Sequence, residues 1–245
     1  MYREFQPSLH LARYVECYWH RQEIQQPESH RILPDGCSDI MFSRENGGSA
    51  SLNFVGLMTT AQVFRPTKGS RFFGIRFRPA MAGAFLRDYV SQIDCKLSLD
   101  GKRERGFIER LAEARSPLEM IGHAEAYLGM PEAGPNPVLS ELLREPLERV
   151  SELSGASPRN LRRLCLANAG VSPKYLTRIL RFRRAAECVR LNRQASWADL
   201  AAACGYFDQS HLIREFQEFA GCTPGRFLQS LHGQAPVESL HGIQS

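Results

Sequence analysis

The chain has 245 residues, 43% apolar and 23% charged, with a formal net charge of +5 at pH 7. That length and balance suit one large domain or two ordinary ones and exclude wholesale disorder and collagen. No stretch approaches the ~20 apolar residues of a membrane span and no apolar segment follows Met1, so a soluble, cytoplasmic chain is expected.

Strand signals dominate the amino-terminal third. Phe73, Ile75 and Phe77 alternate with Phe72, Gly74 and Arg76, a period of two. Short apolar runs at Tyr14 to Trp19, Ile40 to Phe42, Leu52 to Leu57 and Gln62 to Phe64 predict further strands, punctuated by Gly36, Gly47-Gly48 and Pro66 to Gly69. Tyr18, Trp19, Phe42, Phe54, Phe73 and Phe77 are expected to line a barrel-like interior, as plain core or around a ligand. From Pro79 the period changes. Phe85, Leu86 and Tyr89, then Phe107, Ile108, Leu111 and Ala112, recur at helical spacing, and a third helix is expected over Pro117 to Leu128.

The chemistry-bearing residues of this part do not assemble a known catalytic pattern. His30, Asp35, Cys37 and Asp39 could be read as metal ligands, but the His-x-His-plus-carboxylate spacing of a barrel metal site is absent. A turn with Asp35-Gly36 at its tip is the simpler reading, so no metal is expected. The seven cysteines are odd in number and widely spaced, without C-x-x-C, which suits reduced, buried thiols. No G-x-S-x-G, H-E-x-x-H or complete phosphate-binding loop occurs; Gly69 to Gly74 has the glycine spacing, but Ile75 and Arg76 replace the Lys and Ser/Thr. No catalytic residue and no cofactor are therefore expected.

Gly129-Met-Pro-Glu-Ala-Gly-Pro-Asn-Pro137 breaks the chain, and the charge changes with it. Residues 1–143 balance to zero net charge, whereas 144–232 carry +6. Within the second part, residues 159–193 hold ten Lys/Arg against Glu187 alone. Such a concentration of like charge points to a polyanionic partner or to a solvated basic face. We divide the chain into a domain at 1–128, a linker at 129–142, a second domain at 143–232 and a flexible tail at 233–245.

The second domain reads as helical throughout. Gly155-Ala-Ser-Pro158, Gly170-Val-Ser-Pro173 and Gly221-Cys-Thr-Pro224 each supply a helix-ending glycine, a Ser/Thr N-cap and a proline at the first helical position. Ser196-Trp-Ala-Asp199 and Asp208 mark two further starts. These signals predict helices near 145–154, 158–168, 173–192, 197–204 and 208–219. A short helix, a Gly-containing turn and a second helix make a helix-turn-helix, and the unit occurs twice. Inward-facing Leu161, Leu164 and Cys165 leave Arg159, Asn160, Arg162 and Arg163 outside in the first unit. Leu212, Phe216 and Phe219 leave Gln209, Ser210, Ile213 and Arg214 outside in the second. Arg pairs in bidentate fashion with guanine and Gln with adenine, and the first turns of a recognition helix reach base edges. The connecting helix, at ~1.5 Å per residue, spans about 30 Å, close to the ~34 Å between successive major grooves. Its Lys174 is placed to meet phosphate. Arg183 has Glu187 four positions on as a candidate ion-pair partner.

The ordered series Ser157-Pro-Arg-Asn-Leu-Arg-Arg163, Gly170-Val-Ser-Pro-Lys-Tyr175, Arg181-x-x-Arg184-Ala185, Gly205-Tyr-Phe-Asp-Gln-Ser-His-Leu-Ile-Arg-Glu-Phe216, Gly221-Cys-Thr-Pro224 and Phe227 resembles the AraC/XylS family of bacterial transcription regulators over residues 143–231. Cys165 and Leu212 stand where the family commonly has Phe, and Leu228 where a closing Arg is common. The resemblance implies an α+β chain: a β-rich, barrel-like first domain with trailing helices, then an all-α domain of two helix-turn-helix units joined by a long helix. It implies sequence-specific binding of promoter or operator DNA. Base contacts would come from Arg159, Asn160, Arg162, Arg163, Gln209, Ser210, Ile213 and Arg214, and phosphate contacts from Lys174 and His211. Tyr14-Val-Glu-Cys-Tyr-Trp19, Leu33-Pro-Asp-Gly-Cys37, Phe54-Val-Gly56 and Gly74-Ile-Arg-Phe-Arg-Pro79 look like one uncharacterised class of domain found before such modules. It would sense a small-molecule effector or dimerise, and the sequence names no effector-binding residue. RNA polymerase and a second copy of the chain are further candidate partners. Two other readings stay open: a weakly specific architectural DNA binder, and a ligand-binding protein with a vestigial helical module.

Overall fold

A computed structural model of the chain describes residues 2–22, 29–131, 134–144, 147–191 and 196–232. The tail at 233–245, expected to be flexible, lies outside the described residues. The described residues form eight strands: β1 (Tyr2–Phe5), β2 (Val15–Gln22), β3 (His30–Ile32), β4 (Ser38–Arg44), β5 (Ala50–Val55), β6 (Gln62–Phe64), β7 (Arg71–Phe77) and β8 (Lys96–Ser98). Six of them make an antiparallel sheet in the order β1-β2-β7-β4-β5-β8, and β3 pairs with β6 in a separate ribbon. The alternation read in β7 sorts its residues to two faces, as a pleated strand must. Tyr18, Ile75, Ile40 and Phe54 share one row across the sheet, and Phe73, Phe42 and Leu52 share the next. Helices α1 (Lys102–Glu113) and α2 (Pro117–Leu128) cover this face.

Trp19 is an exception to the expected interior set. Adjacent to Tyr18 in an unbroken stretch of β2, it points to the other face, where its indole lies over Gly74. A Cβ at Gly74 would come within 2.0 Å of that ring, which explains a glycine in the middle of a central strand. The β3–β6 ribbon lies on this second face, with Phe64 edge-on to Phe72.

One local expectation needs correction. Phe85, Leu86 and Tyr89 do not lie on an α-helix. A 3-10 turn at Ala82–Ala84 is followed by separate turns in which Tyr89 N donates to Leu86 O and Gln92 N to Tyr89 O. Consecutive turns give the same three-to-four spacing as a helix, and each aromatic ring is pinned elsewhere: Phe85 on Tyr14 and Phe77, Tyr89 on Phe54. The proline-rich linker is not wholly irregular. Asn136 Oδ1 accepts from Val138 N and Leu139 N, Pro137 takes the first helical position, and α3 (Pro137–Leu142) begins there.

The remaining helices are α4 (Leu147–Ser154), α5 (Pro158–Ala169), α6 (Pro173–Leu191), α7 (Trp197–Ala203) and α8 (Gln209–Ala220), within a residue or two of the expected bounds, and α9 (Pro224–His232), of which only the start at Pro224 was expected. Ser157, Ser196 and Asp208 cap as read, and Gly170 and Gly221 end α5 and α8 in the left-handed conformation. The buried apolar side chains form a continuous cluster that runs from the sheet into these helices. Among the described residues no helix is long and apolar enough to cross a membrane.

Candidate nucleic-acid interface

Helix α5 buries Leu161, Leu164, Cys165 and Ala169, so its charged positions turn outward. Arg159, Arg162 and Arg163 are exposed and Asn160 is half-buried, its Oδ1 accepting from Arg163 Nη2 at 2.9 Å. Helix α8 buries Leu212, Glu215, Phe216, Phe219 and Ala220. Gln209, Ser210 and Arg214 are exposed beside a half-buried Ile213. The capping side chains leave the backbone at both helix starts ordered, which presents the first turns in a fixed geometry. Lys174 is exposed at the start of α6. Cys165 and Leu212, which replace the common aromatic residues, are fully buried, and Leu228 packs half-buried against the core.

His211 sits differently from the others. Its ring stands edge-on to Tyr206 and its Nε2 lies 3.6 Å from Glu215 Oε1. The structure thus gives it partners within the protein as well as a partly exposed edge.

The basic segment divides into two sets. Arg178 Nε and Arg181 Nη2 both donate to Glu215 Oε1, at 2.9 and 2.7 Å, and Arg178 also pairs with Glu218. Arg190 pairs with Glu187 at 2.7 Å. Arg183 does not use Glu187; its Nη2 lies 2.8 Å from Glu16 Oε1, far away in sequence. Glu187 serves the residue one turn further on instead. The cations without a carboxylate partner among the described residues of the segment are Arg159, Arg162, Arg163, Lys174 and Arg184. The arginines of α6 that face the protein are therefore matched by carboxylates, whereas the cations at the helix starts and Arg184 on the exposed side of α6 are not.

Burial alone would raise the Glu215 carboxyl, but the hydrogen bonds from Arg181 and Arg178 outweigh it and hold the group below its usual range. A depressed carboxylate stabilises the fold above its unfolded pKa, and that contribution is lost as pH falls through the folded value. Glu215→Ala is expected to cost about 2–4 kcal/mol, less than a fully buried pair because both guanidinium groups are about a quarter exposed. Urea denaturation should show the loss near neutrality and a flatter acid limb. An unchanged midpoint would mean that the two arginines are held by ring stacking alone.

Phe207 was legible in the sequence only as a turn residue. It is 94% exposed immediately before the N-cap of α8. An aromatic ring standing free beside Gln209 and Ser210 is an additional candidate contact, and nothing in a single sequence distinguishes it from a core aromatic.

The sheet region grips the helical region at several places away from the starts of α5 and α8. Ala61 N donates to Phe219 O and Arg31 Nη1 to Ala220 O, each at 2.9 Å, satisfying carbonyls at the end of α8. The middle of α6 is held by Arg183 on Glu16 and on Asp35 O, with Leu180 against Gly36. The end of α5 packs on the 3-10 turn, Asn168 meeting Gly83 and Gly170 meeting Val90 O. The residues weighed as metal ligands are engaged in this frame: Asp35 Oδ1 accepts from Cys37 N at 2.9 Å, and Asp39 Oδ1 accepts from Trp19 Nε1 at 2.8 Å.

Residues 150–230 match a family model described as a helix-turn-helix domain, and residues 3–96 match one described as a domain of unknown function (DUF6597). The second region is a helix-turn-helix domain of the AraC type. The chain is similar to the crystal structure of ToxT from Vibrio cholerae, with 10% identity, 88% of this chain and 99% of that chain covered and a TM-score of 0.46. A structure of wild-type ToxT from strain SCE256 with an unsaturated fatty acid bound is similar at 11% identity, covering 89% and 95% of the two chains, with a TM-score of 0.41. No curated protein sequence matches the chain.

Proposed function

We propose that this chain is an AraC-type transcription regulator that places α5 and α8 in successive major grooves of double-stranded promoter DNA. The observation that carries the reading is the division of charge just described. Along α6, Arg178, Arg181, Arg183 and Arg190 are paired with carboxylates, while Arg159, Arg162, Arg163 and Arg214 stand outward near capped helix starts. In this reading those four, with Asn160, Gln209, Ser210 and Ile213, read base edges, and Lys174 and the exposed edge of His211 meet phosphate. Phe207 adds an apolar contact suited to a thymine methyl. The mechanism is binding, not catalysis. The sheet region acts as a brace across both recognition helices and the helix between them, so a change in its shape would alter their spacing. An effector bound there would regulate through that brace. RNA polymerase and a second copy of the chain are the further partners of such a complex on promoter DNA.

Sequencing the DNA fragments retained by the purified full chain tests the reading: a recurrent motif is expected, and random recovery would favour a weakly specific architectural binder. Affinity for the motif should fall steeply between about 50 and 200 mM salt, because phosphate neutralisation releases counterions. Arg214→Ala is expected to cost about 1–3 kcal/mol at particular base pairs and little on random DNA. An equal loss on both would make Arg214 a phosphate contact.

A further inference from the structure

Arg76 lies on the second face of the sheet and is 6% exposed. Its Nε is 3.3 Å from Asp39 Oδ1, but its buried Nη1 makes no hydrogen bond and stands 3.8 Å from Asp35 Oδ2. A buried guanidinium nitrogen left without an acceptor is costly, and native structures rarely tolerate one. Arg76 also lines a cavity of about 100 Å³ between the sheet and the β3–β6 ribbon. Tyr2 and Trp19, stacked with ring centres 6.2 Å apart, form one wall. Phe64, Met41 and Val55 form much of the rest.

From this geometry we infer that the cavity is a binding site for a compact, uncharged molecule with an apolar body and one hydrogen-bond acceptor, which Arg76 Nη1 would receive. Each property follows from the lining. The volume is somewhat below the ~150 Å³ of a cavity that holds one benzene, which limits the occupant to about one small ring. The walls are largely apolar, so the body is hydrocarbon. Asp35 and Asp39 both face the Arg76 guanidinium, and Arg21, also in the lining, donates to the ring of His30. An added carboxylate would stand against Asp35 and Asp39 and an added ammonium against Arg76 and Arg21, each buried without a counter-ion of its own. What is missing is an acceptor alone: a small cyclic ketone, lactone or lactam has one.

The site also has an output. Asp35 faces Arg76 with its carboxylate, while its carbonyl accepts from Arg183 of α6 at 3.3 Å. The next residue, Gly36, packs on Leu180 of the same helix. An acceptor that takes Arg76 Nη1 weakens its attraction to Asp35 and loosens the turn that holds the middle of α6. This consequence rests on the DNA-binding reading; the site itself does not.

The test uses the full chain labelled with 5-fluorotryptophan. Only Trp19 and Trp197 are present, so fluorine NMR gives two signals, and Trp197→Phe assigns them. Cyclopentanone is the probe, with cyclopentylamine and cyclopentanecarboxylate as charged counterparts. A saturable shift of the Trp19 signal is expected for cyclopentanone at millimolar concentration, with at least tenfold weaker response to either charged molecule. Met41→Phe and Val55→Phe, two independent ways of filling the cavity, should each abolish the shift in a variant that melts cooperatively. No saturable shift, equal response to all three probes, or a shift that persists in both filled variants would overturn the site and leave a hydrated cavity. At saturating probe, affinity for the selected DNA motif should fall about fivefold in the unmodified chain and not in the filled variants. Unaltered affinity despite a bound probe would overturn the coupling, and failure to bind any DNA would overturn the regulator reading while the NMR result still decides the site.

Discussion

Inserting one alanine between Leu180 and Arg181 is expected to abolish specific DNA binding and leave weak, salt-sensitive association. One added residue lengthens α6 by ~1.5 Å and turns everything after it by about 100°. The helix is gripped on both sides of that point. Ahead of it, Tyr175 stacks edge-on to Phe219, and Arg178 holds Glu215 and Glu218. Behind it, Phe182 packs on Phe216 and Phe219, and Arg181 holds Glu215. Leu180 and Arg183 straddle the insertion and hold the turn at Gly36 and Glu16. No rotation keeps all of these. Glu215 must give up Arg178 or Arg181, and α8 leaves its register with α5. Arg184→Gln, on an exposed position of the same helix, should cost no more than one screened charge. Footprinting on the selected motif is the measurement, with circular dichroism to show that helix content survives. A folded insertion variant that still protects both grooves would mean that α6 is a tether and that the brace from the sheet region alone sets the spacing.

That prediction separates what the sequence displayed from what it concealed. The helix starts were legible because their chemistry is local: Ser157, Ser196 and Asp208 each cap a backbone N–H three residues on. The outward faces of α5 and α8 followed from the same periodicity that buries Leu161 and Phe216. The strand at 71–77 was legible through its alternation, but β1, β3 and β8 were not, being three or four residues long and partly polar. What no local rule reaches is pairing at a distance. Arg183 had a carboxylate one helical turn away and took one 167 positions away. Arg31 and Ala61 read as ordinary residues of a β-rich segment and finish the end of α8. Arg76 looked like one outward position in an alternating strand. Its face is covered, however, by a ribbon whose two strands are distant in sequence.

Arg76→Met should therefore be the most destabilising single substitution in the sheet region, at about 3–5 kcal/mol near neutral pH. The side chain removed is of similar length, so the loss is chiefly one of charge. Asp35 and Asp39 are left facing each other with side chains only 8% and 14% exposed. Already in the parent chain burial holds the Asp39 carboxyl above its usual range despite Arg76, with Asp35 adding to the rise. A carboxyl whose folded pKa is raised favours the fold below its unfolded pKa and loses that contribution as pH rises through the folded value. Without Arg76 the rise must grow, so the variant should regain part of its stability as pH is lowered toward about 5, where the parent regains less. Arg183, which also acts on Asp35, keeps its charge across that range; among the other neighbours of this cluster, which include Glu4 and Glu16, Tyr2, Cys17 and Cys37 stay protonated there because burial raises each of them. Denaturant titrations of both proteins from pH 5 to 8 give the comparison. Asp39→Asn added to Arg76→Met should recover part of the neutral-pH loss, since an amide oxygen still accepts from Trp19 Nε1 without carrying charge. Parallel pH profiles for the two proteins, or a double variant no more stable than the single one, would show that Arg76 contributes packing and not the counter-charge for its two aspartates.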